Sequence, residues 1–170
     1  MTLPQRRIGD LNVSSVGIGC MPMSFPEKLE NREGMIATIH RALDLGVTFF
    51  DTANIYAPSS STMGHNELLV AEAMRTYTGS ANMADVLVTT KGGITREPGG
   101  IFGSDSRPES LRAACEKSLK NLGLVTSKAL SNQVPPTIQR WQAHGFRRLY
   151  LVYLVTRSRP SRSACCTSKT

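Results

Sequence analysis

No carboxylate side chain occurs after Glu116, so the last 54 residues of this 170-residue sequence hold ten Lys or Arg and no acid. Residues 1–116 carry ten basic and thirteen acidic side chains, a net −3 against +10 for the remainder. Globular domains mix both signs, so the overall charge of +7 belongs to the tail and not to a fold. It is no argument for nucleic acid as a partner, because the stretch "RRLYLVYLVTRSRPSR" joins no recognised nucleic-acid fold. Also missing is any apolar run of membrane-spanning length. The N-terminal "MTLPQRRIGDLNV" lacks the apolar centre of a secretory signal. Cys20, Cys115, Cys165 and Cys166 show neither metal-ligand spacing nor a disulfide framework. These absences lead us to expect no metal, no membrane and a cytoplasmic, reducing location.

What is present is an alternation of short apolar runs and amphipathic stretches. "VSSVGIGCM" (13–21) is expected to be a strand ending at Cys20. "NREGMIATIHRALDLG" (31–46) repeats apolar side chains at Met35, Ile39, Ala42 and Leu43, with Gly46 placed as a C-terminal cap. "VTFFDTA" is a near-continuous apolar strand of the kind covered on both faces. "GHNELLVAEAMRTY" sets Val70, Ala73, Met74 and Tyr77 on one helical face, and "DVLVTTKGG" (85–93) is a further buried strand. "SRPESLRAACEKSLKNLG" (106–123) opens with Ser106 and Glu109 in capping-box register and carries a stripe of Leu111, Cys115, Leu119 and Leu122. Strand and helix in turn predict an α/β protein with parallel strands. Beyond Gly123 the pattern loosens: "LVTSKALSN" as a strand, "PPTIQRWQAHG" as a short helix, "RRLYLVYLV" as another strand.

In parallel α/β folds the working groups gather at the C-terminal strand ends. Cys20-Met21, Asp51 and Lys91 fall there, and Tyr56 lies on the loop after Asp51. A phenol is a poor acid near neutrality. An adjacent ammonium favours the phenolate, and a carboxylate beside the ammonium would keep it charged and in place. Pattern alone leaves two readings open: a proton-donating device, or a loop cap, a half-buried aromatic and a solvated lysine. A Rossmann site is excluded, since "GIGCMP" lacks the third glycine and no acid follows at about 20 residues. The glycine-rich "KGGITREPGGIFGSDS" lacks the lysine–hydroxyl ending of a phosphate loop and is expected to be a mobile loop over the site.

In order and spacing, "GIGCM", "GVTFFDTANIYAPSSSTMGHNELLVAEAM", "VLVTTKGG" and "SRPESLRAACEKSLKNLG" resemble the first part of an aldo-keto reductase, densely over residues 8–123. The resemblance implies a (β/α)8 barrel of TIM type, without a Rossmann domain, that reduces a small carbonyl compound with NADPH. It matches Tyr56 to the family's proton donor, Lys91 to the residue that makes the donor more acidic, and Asp51 to the carboxylate bonded to that lysine. It places Gly19, Cys20, Met21 and Asp51 among the residues that meet NADPH/NADP. Ser131 and Asn132 match the pair that meets the nicotinamide amide.

The departures are equally specific. The family's fourth catalytic residue is a histidine on the strand after Gly123, and this sequence moves instead to a stretch resembling a later part of the barrel. His40, His65 and His144 stand elsewhere in the pattern. A barrel of this type takes about 250 residues. The expectation is therefore an incomplete barrel of parallel strands over residues 1–155, with 1–123 matching densely and 124–155 weakly, then a disordered basic tail over 156–170. A truncated form, made by an internal deletion or a shifted reading frame, accounts for both features. Such a form is expected to be inactive as written and to associate through open sheet edges. The competing expectation is a non-catalytic half-barrel that regulates a partner, like the channel β-subunits of this family.

Overall fold

The structure, a computed structural model, describes residues 3–8, 11–105, 107–123, 139–141 and 148–151. An antiparallel hairpin comes first, β1 (Gln5–Ile8) on β2 (Leu11–Ser14). Next are β3 (Ile18–Gly19), α1 (Arg32–Asp44), β4 (Phe49–Asp51), α2 (His65–Thr76) and β5 (Leu87–Thr90). A second hairpin, β6 (Ile94–Arg96) on β7 (Phe102–Ser104), precedes α3 (Pro108–Asn121). Two strands follow, β8 (Gln139–Trp141) and β9 (Arg148–Leu151).

The main sheet has the order β3-β4-β5-β9-β8. β3, β4, β5 and β9 run parallel, as the alternation predicts, whereas β8 is antiparallel to β9. That edge corrects two expectations: the sheet is not wholly parallel, and Gln139–Trp141 is strand where a short helix was expected. An unpaired strand edge offers a row of free backbone groups, and pairing with it overrides weak local helix preference.

Strand periodicity explains the two faces. Phe50, Val86 and Val88 enter one cluster with Ile39, Leu43, Leu69, Val70, Ala73, Met74, Cys115, Leu119 and Leu122 from the three helices. Phe49 and Leu87 turn the other way and pack with Ile8 and Val13 of the first hairpin. The hairpin thus covers the N-terminal end of that second face and leaves its C-terminal end to polar side chains.

Helix ends follow local chemistry, with one correction. Gly46 ends α1 at φ 85°, as its position predicts. Gly64 precedes α2 at φ 95°, where an added Cβ would overlap Asn121 Nδ2. At α3 the expected Ser106 cap gives way to Arg107, with Pro108 at the first helical position. Proline forces its predecessor out of helical geometry, so the helix can begin only at Pro108. The expected strand at 13–21 is likewise broken: Val13–Ser14 belong to β2 and only Ile18–Gly19 join the main sheet. The glycine-rich segment expected to be a mobile loop forms β6 and β7, turned through Glu97–Gly100.

Candidate active site

Parallel register sets Gly19, Asp51 and Thr89 side by side on three neighbouring strands. Asp51 follows Phe49, and Thr89 and Lys91 follow Leu87, by steps of two, so all three project from the same face of the sheet. Thr89 Oγ1 donates to Asp51 Oδ1 at 2.8 Å. Lys91 Nζ lies beyond them and donates three times: to Asp51 Oδ2 at 2.6 Å, to the Thr52 carbonyl at 2.9 Å and to Tyr56 Oη at 3.1 Å. Its nitrogen also stands 4.8 Å from the centre of the Tyr56 ring. An ammonium has three protons, and here each has an acceptor. The ion pair is partly exposed, 22% for Lys91 and 35% for Asp51, so the cluster faces an accessible space.

The loop that carries Tyr56 is tied at several points. Tyr56 N donates to the Ala53 carbonyl, Asn66 N to the Tyr56 carbonyl and Gly64 N to the Asn54 carbonyl. Beneath it runs a buried chain that the sequence pattern did not reveal. Thr52 Oγ1 donates to Asn66 Oδ1 at 2.6 Å, and Asn66 Nδ2 reaches both the Cys20 carbonyl and Ser24 Oγ at 2.7 Å. Ser24 Oγ, which accepts from Asn66, also shares a hydrogen bond with His65 Nδ1 at 2.9 Å. Burial first, then the Arg32 charge, pushes the His65 imidazole below its ordinary range. His40 instead sutures α1 to α2, with Nε2 donating to the Ala73 carbonyl at 2.7 Å.

The expected cofactor-contacting residues divide. Gly19 ends β3 beside Asp51 and faces open space, with nothing within 4 Å of an added Cβ. Met21 is 44% exposed. Cys20 is fully buried, its amide donates to the Asp51 carbonyl and its carbonyl accepts from Asn66, so its polar groups are spoken for. Burial, with the Asp51 charge second, pushes the Cys20 thiol up to about 12. Ser131 and Asn132 lie outside the described residues, as do His144, Cys165 and Cys166.

Two more groups escaped sequence reasoning. Glu67, with no exposed surface, accepts from Thr90 Oγ1 at 2.6 Å and from Asn121 Nδ2 at 2.8 Å, joining β5 to α2 and α3. Arg96 of β6 grips the Tyr56 loop through the carbonyls of Ala57 and Pro58. The signal for the hairpin that carries Arg96 was legible, since "PGG" between "ITRE" and "IFGS" is a turn between two short strands.

The aldo/keto reductase family profile matches residues 15–135, well over half of the sequence. The chain belongs to the aldo/keto reductase family. Among curated relatives, the NADP(+)-designated aldo-keto reductase yakc of Schizosaccharomyces pombe is 29% identical over 125 residues, 73% of this chain and 34% of that protein. Among solved structures, the holo form of an aldo-keto reductase from Bacillus halodurans aligns with a TM-score of 0.55 at 26% identity, covering 71% of this chain and 37% of its own. An aldo-keto reductase from Klebsiella pneumoniae, solved in complex with NADPH, shares the fold at a TM-score of 0.50 and 23% identity, covering 72% of this chain and 36% of its own. The chain therefore spans about a third of the length of each family member it matches here. The sheet, with α1, α2 and α3 packed on one face, agrees with part of an α/β barrel. Among the described residues no cluster of His, Cys, Asp or Glu is placed to hold a metal, and no helix is long and apolar enough to cross a membrane.

Proposed function

We propose that Asp51, Tyr56 and Lys91 are the proton-donating part of an NADPH-dependent carbonyl reductase site acting on a small aldehyde or ketone. The observation that supports this is the saturation of Lys91. Because Tyr56 Oη accepts from the ammonium, its own hydrogen is free for the oxygen of a substrate.

The residues fit a dinucleotide at the strand ends: Gly19 leaves open space beside Asp51, and Met21 is exposed next to it. Ser131 and Asn132 complete the proposed cofactor contacts. When bound, NADPH supplies the hydride that the carbonyl carbon accepts. Tyr56 gives its hydroxyl proton to the carbonyl oxygen, so the phenol O–H bond breaks and the alcohol O–H bond forms. The phenolate left behind lies against the Lys91 ammonium, which Asp51 and the Thr52 carbonyl hold in place. A proton from solvent restores the phenol. General acid catalysis of this kind contributes about 10²–10⁴ in rate.

The same proposal assigns residues 1–155 to a partial barrel and 156–170 to a basic tail, with a cytoplasmic location and association through open sheet edges. No histidine stands between Gly123 and His144, where the family would use one to orient the carbonyl. We therefore expect the 170-residue chain alone to oxidise NADPH with an aldehyde no faster than its Tyr56→Phe variant. Residues 15–123 grafted into the matching stretch of the Schizosaccharomyces pombe relative should support turnover, with the histidine region of that relative retained. In that chimera Tyr56→Phe should cost about 10²–10⁴ in kcat. A chimera equally active with or without the substitution refutes the assignment of Tyr56.

A further inference from the structure

We infer that Arg96 is a positioning residue for Tyr56, and that the β6–β7 hairpin is the frame that holds the donor loop in place. The inference rests on the reading of Tyr56 as proton donor. Ala57 and Pro58 directly follow Tyr56 in the donor loop. Arg96 Nη1 donates to Ala57 O at 2.6 Å and Nη2 to Pro58 O at 3.3 Å. A guanidinium offers donors in a rigid planar fork, so two successive carbonyls gripped by one fork fix the backbone there in direction as well as place.

The fork is itself held. Arg96 and Phe102 are directly opposite across β6 and β7, and the Phe102 ring lies 5.4 Å from the guanidinium carbon. Side chains at opposed positions share one face of a hairpin, so the ring backs the guanidinium against the loop. No carboxylate among the described residues pairs with Arg96, and its Nε is buried without a partner. A cation placed to stabilise the hairpin would ordinarily meet an acid, and Glu97 and Asp105 are both close in sequence. This one is given wholly to the Tyr56 loop. The hairpin in turn springs from Lys91 through two glycines, and its far end returns to the same point, where Asp105 N donates to the Gly93 carbonyl at 2.9 Å. One hairpin therefore connects both members of the donor pair: it leaves the sheet at Lys91 and grips the chain beside Tyr56.

The test uses the full chain and needs no turnover, so it can fail or succeed separately from the reductase proposal. Tyrosine labelled with carbon-13 at the ring carbon bearing the hydroxyl gives one signal per tyrosine, and the signal lost in Tyr56→Phe is that of Tyr56. In Arg96→Met this signal should move toward that of free tyrosine. Amide exchange over residues 57–63 should quicken by about tenfold or more, while amides in α1 around Ile39 and Leu43 keep their protection. Arg96→Lys keeps the charge and loses the fork, and should restore the signal only in part. If Arg96→Met does not fold, Phe102→Ala decides: it should give a smaller change of the same direction. A Tyr56 signal and loop exchange unchanged in a folded Arg96→Met protein overturn the inference. So does loosening confined to residues 94–104.

Discussion

Asp51 ends β4 and Lys91 directly follows β5, its parallel neighbour, and the lysine ammonium reaches Asp51 Oδ2 at 2.6 Å while Thr89 Oγ1 holds Asp51 Oδ1 at 2.8 Å. The carboxylate is thus committed on both oxygens to β5 and the lysine that directly follows it. The arrangement orients Lys91 toward Tyr56 and contributes little to holding the sheet together, since both side chains are open to solvent on one side.

Lys91→Met separates these two roles. Partly exposed ion pairs are worth about 0–1 kcal/mol, so the variant should lose no more than about 2–4 °C in Tm. In the chimera its kcat should fall with that of Tyr56→Phe, because the phenolate left after donation loses its ammonium. A melting point lowered by more than about 10 °C with kcat retained would make Lys91 a structural residue.

Cys20 carries a pH prediction. Its thiol is pushed up to about 12, by burial first and by the Asp51 carboxylate second. Folding therefore favours the neutral thiol. That contribution to stability is complete below the ordinary thiol value of 9.0 and declines as pH rises through about 12. Native protein at pH 8 should leave Cys20 unalkylated by iodoacetamide, and unfolded protein should not, by peptide-resolved mass spectrometry. Urea midpoints measured upward from pH 9 should fall, and Cys20→Ser should lessen that fall. Rapid native alkylation of Cys20 would contradict the burial on which this rests.

Glu67 is a buried polar joint whose loss should damage the fold. Its carboxylate accepts from Thr90 and Asn121, so Glu67→Gln presents an amide N–H to one of two donors. That mismatch should cost about 1–3 kcal/mol. Glu67→Ala removes both acceptors and should cost more, by chemical denaturation. Near-neutral values for both would mean that water replaces the carboxylate.

Helices α1, α2 and α3, strands β4 and β5 and the placing of Asp51, Tyr56 and Lys91 at or just beyond strand ends were legible because each rests on local periodicity or on position at a strand end. Ile39, Val70 and Leu119 recur at helical spacing and are buried. Val47 and Phe50 lead apolar chain into Asp51, and both are buried. Ser106 as a helix cap was local too, and there the stronger local rule of Pro108 prevailed.

Position along the chain determined which polar groups stand at strand ends; distance across it decided what they touch. The three bonds of Lys91 span 35 to 40 residues, and those of Asn66 to Cys20 and Ser24 span 46 and 42. Arg96 meets Ala57 and Pro58 across 39 and 38 residues. Such pairs have no periodic trace, because their geometry comes from strand register and from the turn of a hairpin. The antiparallel β8 is likewise a tertiary choice, made where β9 left an edge to be paired. Tertiary structure therefore turned an acid, a phenol and an amine, listed in order by the sequence, into one hydrogen-bonded site.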